Sequence, residues 1–364
     1  MDRTHSRREK LRRTLKTDQI EAYLVCDPTN VRYLTGFTGD DAYLLISRVR
    51  TLLVSDGRFA TQIEQECPGI DVYIRSVGEL PTEAIAKAAE SLGIKNLGFE
   101  ATALSVADHL TLLGKLSGIE LNPLSGRVEA LRAIKDRDEI AAIREAIGYA
   151  ERAFLMLRNG LRRDESEKDV ADPLENDLRR CGASAASFPP IVAVGKRSAL
   201  PHARPTSEAR IGDSDFVLID WGATGQPYKS DLTRVLVTGK VTSKFEKMYR
   251  IVLKAQERGI EAIRPGVEVS LVDAEARSVI EEAGFGRFFT HGLGHGIGMD
   301  IHEDPRIRKG AENKLQAGMV ITVEPGIYLP DWGGVRIEDD VLVTPDGFEI
   351  LTRVPKSLDS VRVP

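Results

Sequence analysis

The chain has 364 residues, 42% hydrophobic and 29% charged, and its fifty Lys and Arg against fifty-five Asp and Glu leave a formal net charge of −5. That length is more than one hydrophobic core usually serves, so two globular domains are expected. The mild charge excludes a chain steered onto nucleic acid or an anionic membrane, and no apolar run approaches the roughly 20 residues of a membrane helix, so a small partner is expected.

The basic cluster Arg3, Arg7, Arg8, Lys10, Arg12, Arg13 and Lys16 is followed by no signal-type apolar stretch. It reads as the solvated face of a first helix with Leu11, Leu15 and Ile20 inward. Strands are predicted over 22–26, 43–46, 51–55 and 71–74, and helices over 80–92 and 105–116, which makes a small α/β domain. Turn chemistry at Pro123, Ser125 and Gly126 places its end there, giving domains 1–126 and 127–364. In the second, helices over 138–157 (stopped at Asn159-Gly160) and 165–181 precede strands over 187–194, 215–221 and 230–238. Helices over 244–263 and 270–282 then precede strands over 319–328 and 335–343. Two helices followed by strands, twice over, predict pseudo-two-fold internal symmetry. Pro173 predicts a kink or late start in the second helix. Cys26, Cys67 and Cys181 are odd in number and far apart, fit no disulfide framework or thiolate zinc site, and read as reduced residues of a cytoplasmic protein.

Five residues have awkward burial costs. The apolar run ending at Asp220 is followed by Asp231, and a reversal around Gly225-Gln226 would set the two facing each other on one side of a hairpin. Like charges so placed need a proton or a cation between them. Glu324 and Glu338 sit in apolar strand patterns where a carboxylate is costly unless paired, with Arg336 the obvious partner, or bound to metal. His291, His295 and His302 fall within one short stretch, and Gly292, Gly294, Gly296 and Gly298 forbid a helical zinc-protease pair there, so the imidazoles are presented from extended or looping chain. Those glycines fit neither the dinucleotide fingerprint nor a P-loop. Four carboxylates with one imidazole suit Mn²⁺ and tolerate Co²⁺, Zn²⁺ or Fe²⁺.

The motifs Ile219-Asp220-Trp221-Gly222, Ser230-Asp231-Leu232-Thr233-Arg234, His291 to His302, Glu324-Pro325-Gly326-Ile327-Tyr328 and Val335-Arg336-Ile337-Glu338-Asp339 resemble those of the pita-bread metallopeptidases. That family includes methionine aminopeptidase, aminopeptidase P, prolidase and creatinase. Asn30 to Gly39 and Leu131 to Lys135 extend the resemblance to the N-terminal domain of aminopeptidase P and prolidase. It implies an α/β fold with a C-terminal pita-bread domain and a smaller N-terminal creatinase-type domain. It implies two divalent metal ions, with Asp220 on one, His295 and Glu324 on the other, and Asp231 and Glu338 bridging. Two cations about 3.5 to 4 Å apart lower the pKa of a shared water. Glu324 would take and return a proton, His202 and His302 would stabilise the oxyanion and orient substrate, His291 would line the pocket for the residue after the scissile bond, and Arg336 would lie beside the bridging glutamate and approach a substrate terminus.

The expected activity is that of an Xaa-Pro aminopeptidase, a metallo-exopeptidase acting on proline-containing peptides, with a prolidase restricted to Xaa-Pro dipeptides as the alternative. A creatinase-like amidinohydrolase or a non-catalytic binding module would be the readings if the ligands were lost. Family members imply a homo-oligomer, commonly a dimer. Trp221 is bulkier than the family's usual neighbour of the first aspartate and is expected to affect the side chain accepted before proline.

Overall fold

A computed structural model describes residues 3–363, which form two compact units divided between Arg132 and Ala133. In the first, six strands form a mixed sheet in the order Asp71–Arg75, Thr51–Asp56, Ala42–Ser47, Ala22–Val25, Asn96–Glu100 and Glu120–Leu124. The three inner strands Thr51–Asp56, Ala42–Ser47 and Ala22–Val25 run antiparallel to their neighbours among themselves, and the outer pairings are parallel. Helix Pro81–Ser91 sets Ala84, Ile85, Ala88 and Ala89 in one core with Leu45, Val54 and Leu97 of the sheet. Helix Arg3–Thr17 buries Leu11 and Leu15 as its pattern predicts, and Ile20 is buried beyond it.

Four elements of this unit escape the periodicity. Helix Pro28–Thr35 is too short to show a period, although Asp27 caps it, Pro28 opens it and Gly36, at φ 86°, closes it. Helix Ala60–Glu66 is shorter still. Strand Asn96–Glu100 is interrupted in pattern by Gly98, where a Cβ would lie 2.9 Å from the Tyr23 ring. Strand Glu120–Leu124 carries Pro123, tolerated because the strand is an edge. The division between units falls after Arg132, beyond the turn chemistry at Gly126. Helix Glu129–Ala133 is tied back to the sheet unit, with Asn30 Nδ2 donating to Glu129 Oε1 (2.7 Å) and Arg132 Nη1 to Asn30 Oδ1 (2.8 Å).

The second unit shows the expected order twice. Helices Arg137–Gly160 and Glu167–Arg180 precede a sheet ordered Leu232–Val237, Phe216–Trp221, Ile191–Val194. Helices Ser243–Glu261 and Val269–Glu282 precede a sheet ordered Glu303–Ile307, Gly294–Gly296, Val320–Val323, Asp339–Thr344, Gly347–Ile350. Asp136 with Glu139, and Ser166 with Asp169, form the capping boxes that start the first helix pair. The first helix runs through Asn159 and Gly160 instead of stopping before them, and the second continues through Pro173.

Trp221 faces away from the sheet surface that carries Asp220, as strand alternation requires. It is fully buried, stacks on Phe154 with ring centroids 4.2 Å apart, and donates Nε1–H to the Ala150 carbonyl (2.9 Å). It does not line the cavity described below, so the expected influence on substrate choice has no structural route. Trp221→Phe is therefore expected to lower stability by about 1–3 kcal/mol in chemical denaturation, from the lost hydrogen bond and packing, with the ranking of Xaa-Pro substrates unchanged. A changed ranking would place Trp221 in substrate selection after all.

Candidate metal centre

The strand pair Phe216–Trp221 and Leu232–Val237 sets Thr233 opposite Asp220. Asp231, two residues before Thr233, shares that face but lies diagonal to Asp220 and not opposite it. The reversal runs through Gly225 N–H donating to the Tyr228 carbonyl (2.7 Å). The expected strands 319–328 and 335–343 are each broken at their glutamate. Glu324 stands between Val320–Val323 and Gly326–Leu329, and Glu338 lies between Gly333–Arg336 and Asp339–Thr344. At these breaks the chain leaves the five-stranded sheet for a two-stranded ribbon, Gly326–Leu329 with Gly333–Arg336, and the carboxylates sit at the corners. His295 is the middle of strand Gly294–Gly296. A Cβ at Gly294 would lie 2.1 Å from the Thr322 carbonyl oxygen and one at Gly296 2.1 Å from that of Asp304, so only glycine lets this strand fit between its neighbours.

These elements bring Asp231, His295 and Glu338 together, with one ligand atom of each within 4.8 Å of the others. His295 Nε2 lies 3.7 Å from Asp231 Oδ2 and 3.4 Å from Glu324 Oε1. Its Nδ1 sits 3.0 Å from the Gly296 carbonyl oxygen and must donate there in the neutral ring. Burial pushes the imidazole down to about 3, so it is neutral and its Nε2 lone pair faces carboxylate oxygens. Asp231 is raised well above the usual carboxylate range by burial and then by Glu338, Asp220, Glu324 and Asp340. Glu338 is raised well above it by burial and by Glu324 and Asp220, and Glu324 is raised to about 7 by burial.

Beside this trio, Asp220 Oδ2 accepts from Arg336 Nη2 (2.5 Å), while its buried Oδ1 has no hydrogen-bond partner. Lone pairs that converge in this way repel, and protons or a cation must offset them. One imidazole nitrogen with several carboxylate oxygens, and an orphaned buried oxygen beside them, fits a hard or borderline divalent cation.

Arg336 is buried and fully engaged. Besides Asp220 it donates Nε–H to Thr233 Oγ1 (3.0 Å) and Nη1–H to the Tyr328 hydroxyl (2.9 Å), and it reaches Glu338 only through Thr233, whose hydroxyl donates to Glu338 Oε2 (2.6 Å). Tyr328, part of a motif but given no role by it, also lies 2.9 Å from His291 Nε2. His291 Nδ1 is 2.8 Å from the Gly292 carbonyl oxygen, and burial lowers this ring to about 4. His302 stands edge-on to His295, centroids 4.4 Å apart, and is lowered by burial. Behind these carboxylates, Arg234 Nη2 donates to Asp339 Oδ1 (2.7 Å) and Nη1 to the Glu338 carbonyl, which fixes the corner at Glu338.

All nine residues expected at the site, His202, Asp220, Asp231, His291, His295, His302, Glu324, Arg336 and Glu338, line one cavity of about 890 Å³. Arg204, Arg306 and Arg308 line it too, and none of these guanidiniums has a hydrogen-bond or ion-pair partner among the described residues. The Arg306-Ile307-Arg308 alternation was the signal that could have revealed two of them, since extended chain turns residues two apart to the side that His302 faces.

Fold and site together define a metal-dependent hydrolase. Residues 141–345 match metallopeptidase family M24, and residues 7–134 match the creatinase/prolidase N-terminal domain. The Xaa-Pro dipeptidase of Pyrococcus horikoshii is 35% identical over 363 residues, covering 98% of this chain and all of that one. The structure of the Xaa-Pro dipeptidase from Bacillus anthracis superposes with a TM-score of 0.93 at 38% identity, covering 98% of this chain and 99% of that one. That of the X-Pro aminopeptidase from Thermotoga maritima gives 0.87 at 36%, covering 95% and 99%. The chain belongs to metallopeptidase family M24 and is a metallo-exopeptidase with a pita-bread catalytic domain. Among the described residues no helix is long and apolar enough to cross a membrane.

Proposed function

We propose that the chain is an Xaa-Pro dipeptidase, a prolidase, and not the Xaa-Pro aminopeptidase that its motifs first suggest. The observation that carries this reading is the cavity wall of Arg204, Arg306 and Arg308, uncommitted cations suited to the free carboxylate that a dipeptide carries on its proline. The Pyrococcus horikoshii and Bacillus anthracis relatives, both Xaa-Pro dipeptidases, support it.

Asp220, Asp231, His295, Glu324 and Glu338 would hold two divalent cations, with Asp231 and Glu338 shared, and the oxygen-rich donors favour Mn²⁺ over Co²⁺, Zn²⁺ or Fe²⁺. When bound, such a pair supplies Lewis acidity, polarising water and the scissile carbonyl. Glu324 accepts a proton from the attacking water and returns it to the proline nitrogen as the bond breaks. His302 and His202 donate hydrogen bonds to the carbonyl oxygen as charge develops on it. His291 has both ring nitrogens engaged and so offers its ring face as a wall for proline. A tertiary amide lacks the N–H by which other peptidases align substrate, and this wall with the arginines replaces that grip. The three free thiols suit a reducing compartment such as the cytoplasm.

Alanylproline, alanylprolinamide and alanylprolylalanine separate the two activities. Amidation is expected to lower kcat/KM by about 10- to 100-fold, the worth of a charge-assisted hydrogen bond, and Arg306→Ser with Arg308→Ser to raise KM for the dipeptide alone. Faster cleavage of the tripeptide, with amidation neutral, assigns an aminopeptidase instead. Cleavage of none of them with metal bound sinks both.

A further inference from the structure

Lys135 and Glu303 form an ion pair of 2.9 Å with side chains only 1% and 7% exposed. Neither belongs to the ligand set. Burial of two charges costs more than their attraction returns unless the remaining valences are used, so such a pair usually has a geometric duty. Here the second Glu303 oxygen, Oε1, accepts the Asp300 backbone N–H (3.1 Å). The carboxylate also packs so closely over Gly298 that a Cβ there would lie 2.5 Å from Oε2. Chain 297–302, which connects His295 to His302, is thus wrapped around one carboxylate. At its base the strand register shifts between His295 and Gly296, with Gly296 opposite Glu303. Lys135 is itself fixed by its backbone N–H, which donates to the Gly318 carbonyl (2.9 Å).

We infer that Lys135 is a positioning residue for His302: by pinning Glu303 it fixes the loop that holds the His302 imidazole edge-on to His295. The inference rests on the role proposed for His302 in catalysis. Removing the ammonium leaves a buried carboxylate that must turn outward or take up a proton, and the loop then loses its internal anchor.

The test compares Lys135→Met, Lys135→Arg, Glu303→Gln, His302→Ala and the double variant Lys135→Met/His302→Ala, all loaded with Mn²⁺, on alanylproline. Metal content is measured for each. Lys135→Met is expected to lower kcat by about 10- to 100-fold, the usual cost of losing a supporting partner, with KM and metal content nearly kept. Lys135→Arg is expected to recover most of this. The double variant should be no slower than His302→Ala alone. In metal-free protein, the His302 imidazole resonances should move in Lys135→Met and Glu303→Gln while those of His202 stay. Multiplicative losses in the double variant, or unmoved His302 resonances, overturn the inference. If His302→Ala keeps full kcat, the catalytic role of His302 fails, and the resonances alone decide whether Lys135 positions it. Glu303→Gln, which preserves shape, serves if Lys135→Met does not fold.

Discussion

Asp231→Asn is expected to abolish tight metal binding and lower kcat/KM for Xaa-Pro dipeptides at least 100-fold, while making the metal-free protein more stable at pH 8. The two effects have one cause. Asp231 is buried among Glu338, Asp220, Glu324 and Asp340, which together with burial raise it well above its ordinary range. Its charge is therefore unfavourable in the fold until a cation offsets it. An amide keeps the shape and one acceptor oxygen but removes the charge. Loss of about 3 kcal/mol of transition-state stabilisation corresponds to roughly 100-fold in rate, and a lost ligand charge exceeds the ~10- to 100-fold cost of a lost supporting partner. Metal content by elemental analysis, kcat/KM and the chelated protein's melting point read the three quantities. A variant that keeps two ions and full rate would remove Asp231 from the metal centre. One that loses metal without gaining stability in the chelated state would show that the carboxylates do not repel.

The chelated wild-type enzyme is expected to lose stability steeply as pH rises above 6.5. A carboxyl raised in the folded state contributes stability that is complete below its unfolded value and lost as pH climbs through the folded one. Glu324 moves from 4.5 to about 7, and Asp231, Glu338 and Asp340 move well above their ordinary ranges. The histidines act in the opposite direction. His295 and His291 fall from 6.5 to about 3 and about 4, so their contribution grows with pH and is complete near 6.5. Above that point only the carboxyls act, each costing about 1.4 kcal/mol per pH unit while it still holds its proton in the fold. The melting temperature in chelator should fall between pH 6.5 and 8.5, and Mn²⁺ should flatten the profile. A rising profile in chelator would mean that these carboxyls are ionised without a cation.

What the sequence could disclose about this site depended on whether a residue carries its own cost. Asp220, Asp231, Glu324 and Glu338 stood out because a carboxylate in an apolar run needs a counter-charge, and His295 because three histidines fall in one short stretch, among which the family resemblance selects it. The breaks at Glu324 and Glu338 were illegible, since apolar residues continue on both sides and a strand pattern does not register a chain that changes sheets. Arg336 was expected to serve a glutamate. Its direct partner is Asp220, because the hairpin register brings strand Phe216–Trp221 beside it. Arg204, Arg306 and Arg308 carry no such cost, since an arginine outside an apolar run needs no partner, and only the cavity gathers them. The twofold helix-and-strand order was visible from periodicity in the long helices, whereas Pro28–Thr35 and Ala60–Glu66 are too short for any period to register.

The proposed ligands divide between the two halves of the catalytic unit, with Asp220 and Asp231 from the first strand group and His295, Glu324 and Glu338 from the second. The bonds that join the halves converge on the same place: Glu338 N–H to the Thr233 carbonyl, Asp231 N–H to Asp340 Oδ2, and Arg234 to Asp339. Partners separated by more than a hundred residues carry a loop-closure cost that earlier, local contacts reduce, so they are expected late in folding. Neither half alone carries the whole proposed set, so ion capture would signal that refolding is complete. Nascent chains emerging from the ribosome would stay metal-free until the last strands arrive, and a cation added during refolding would report the final docking event and not the first collapse.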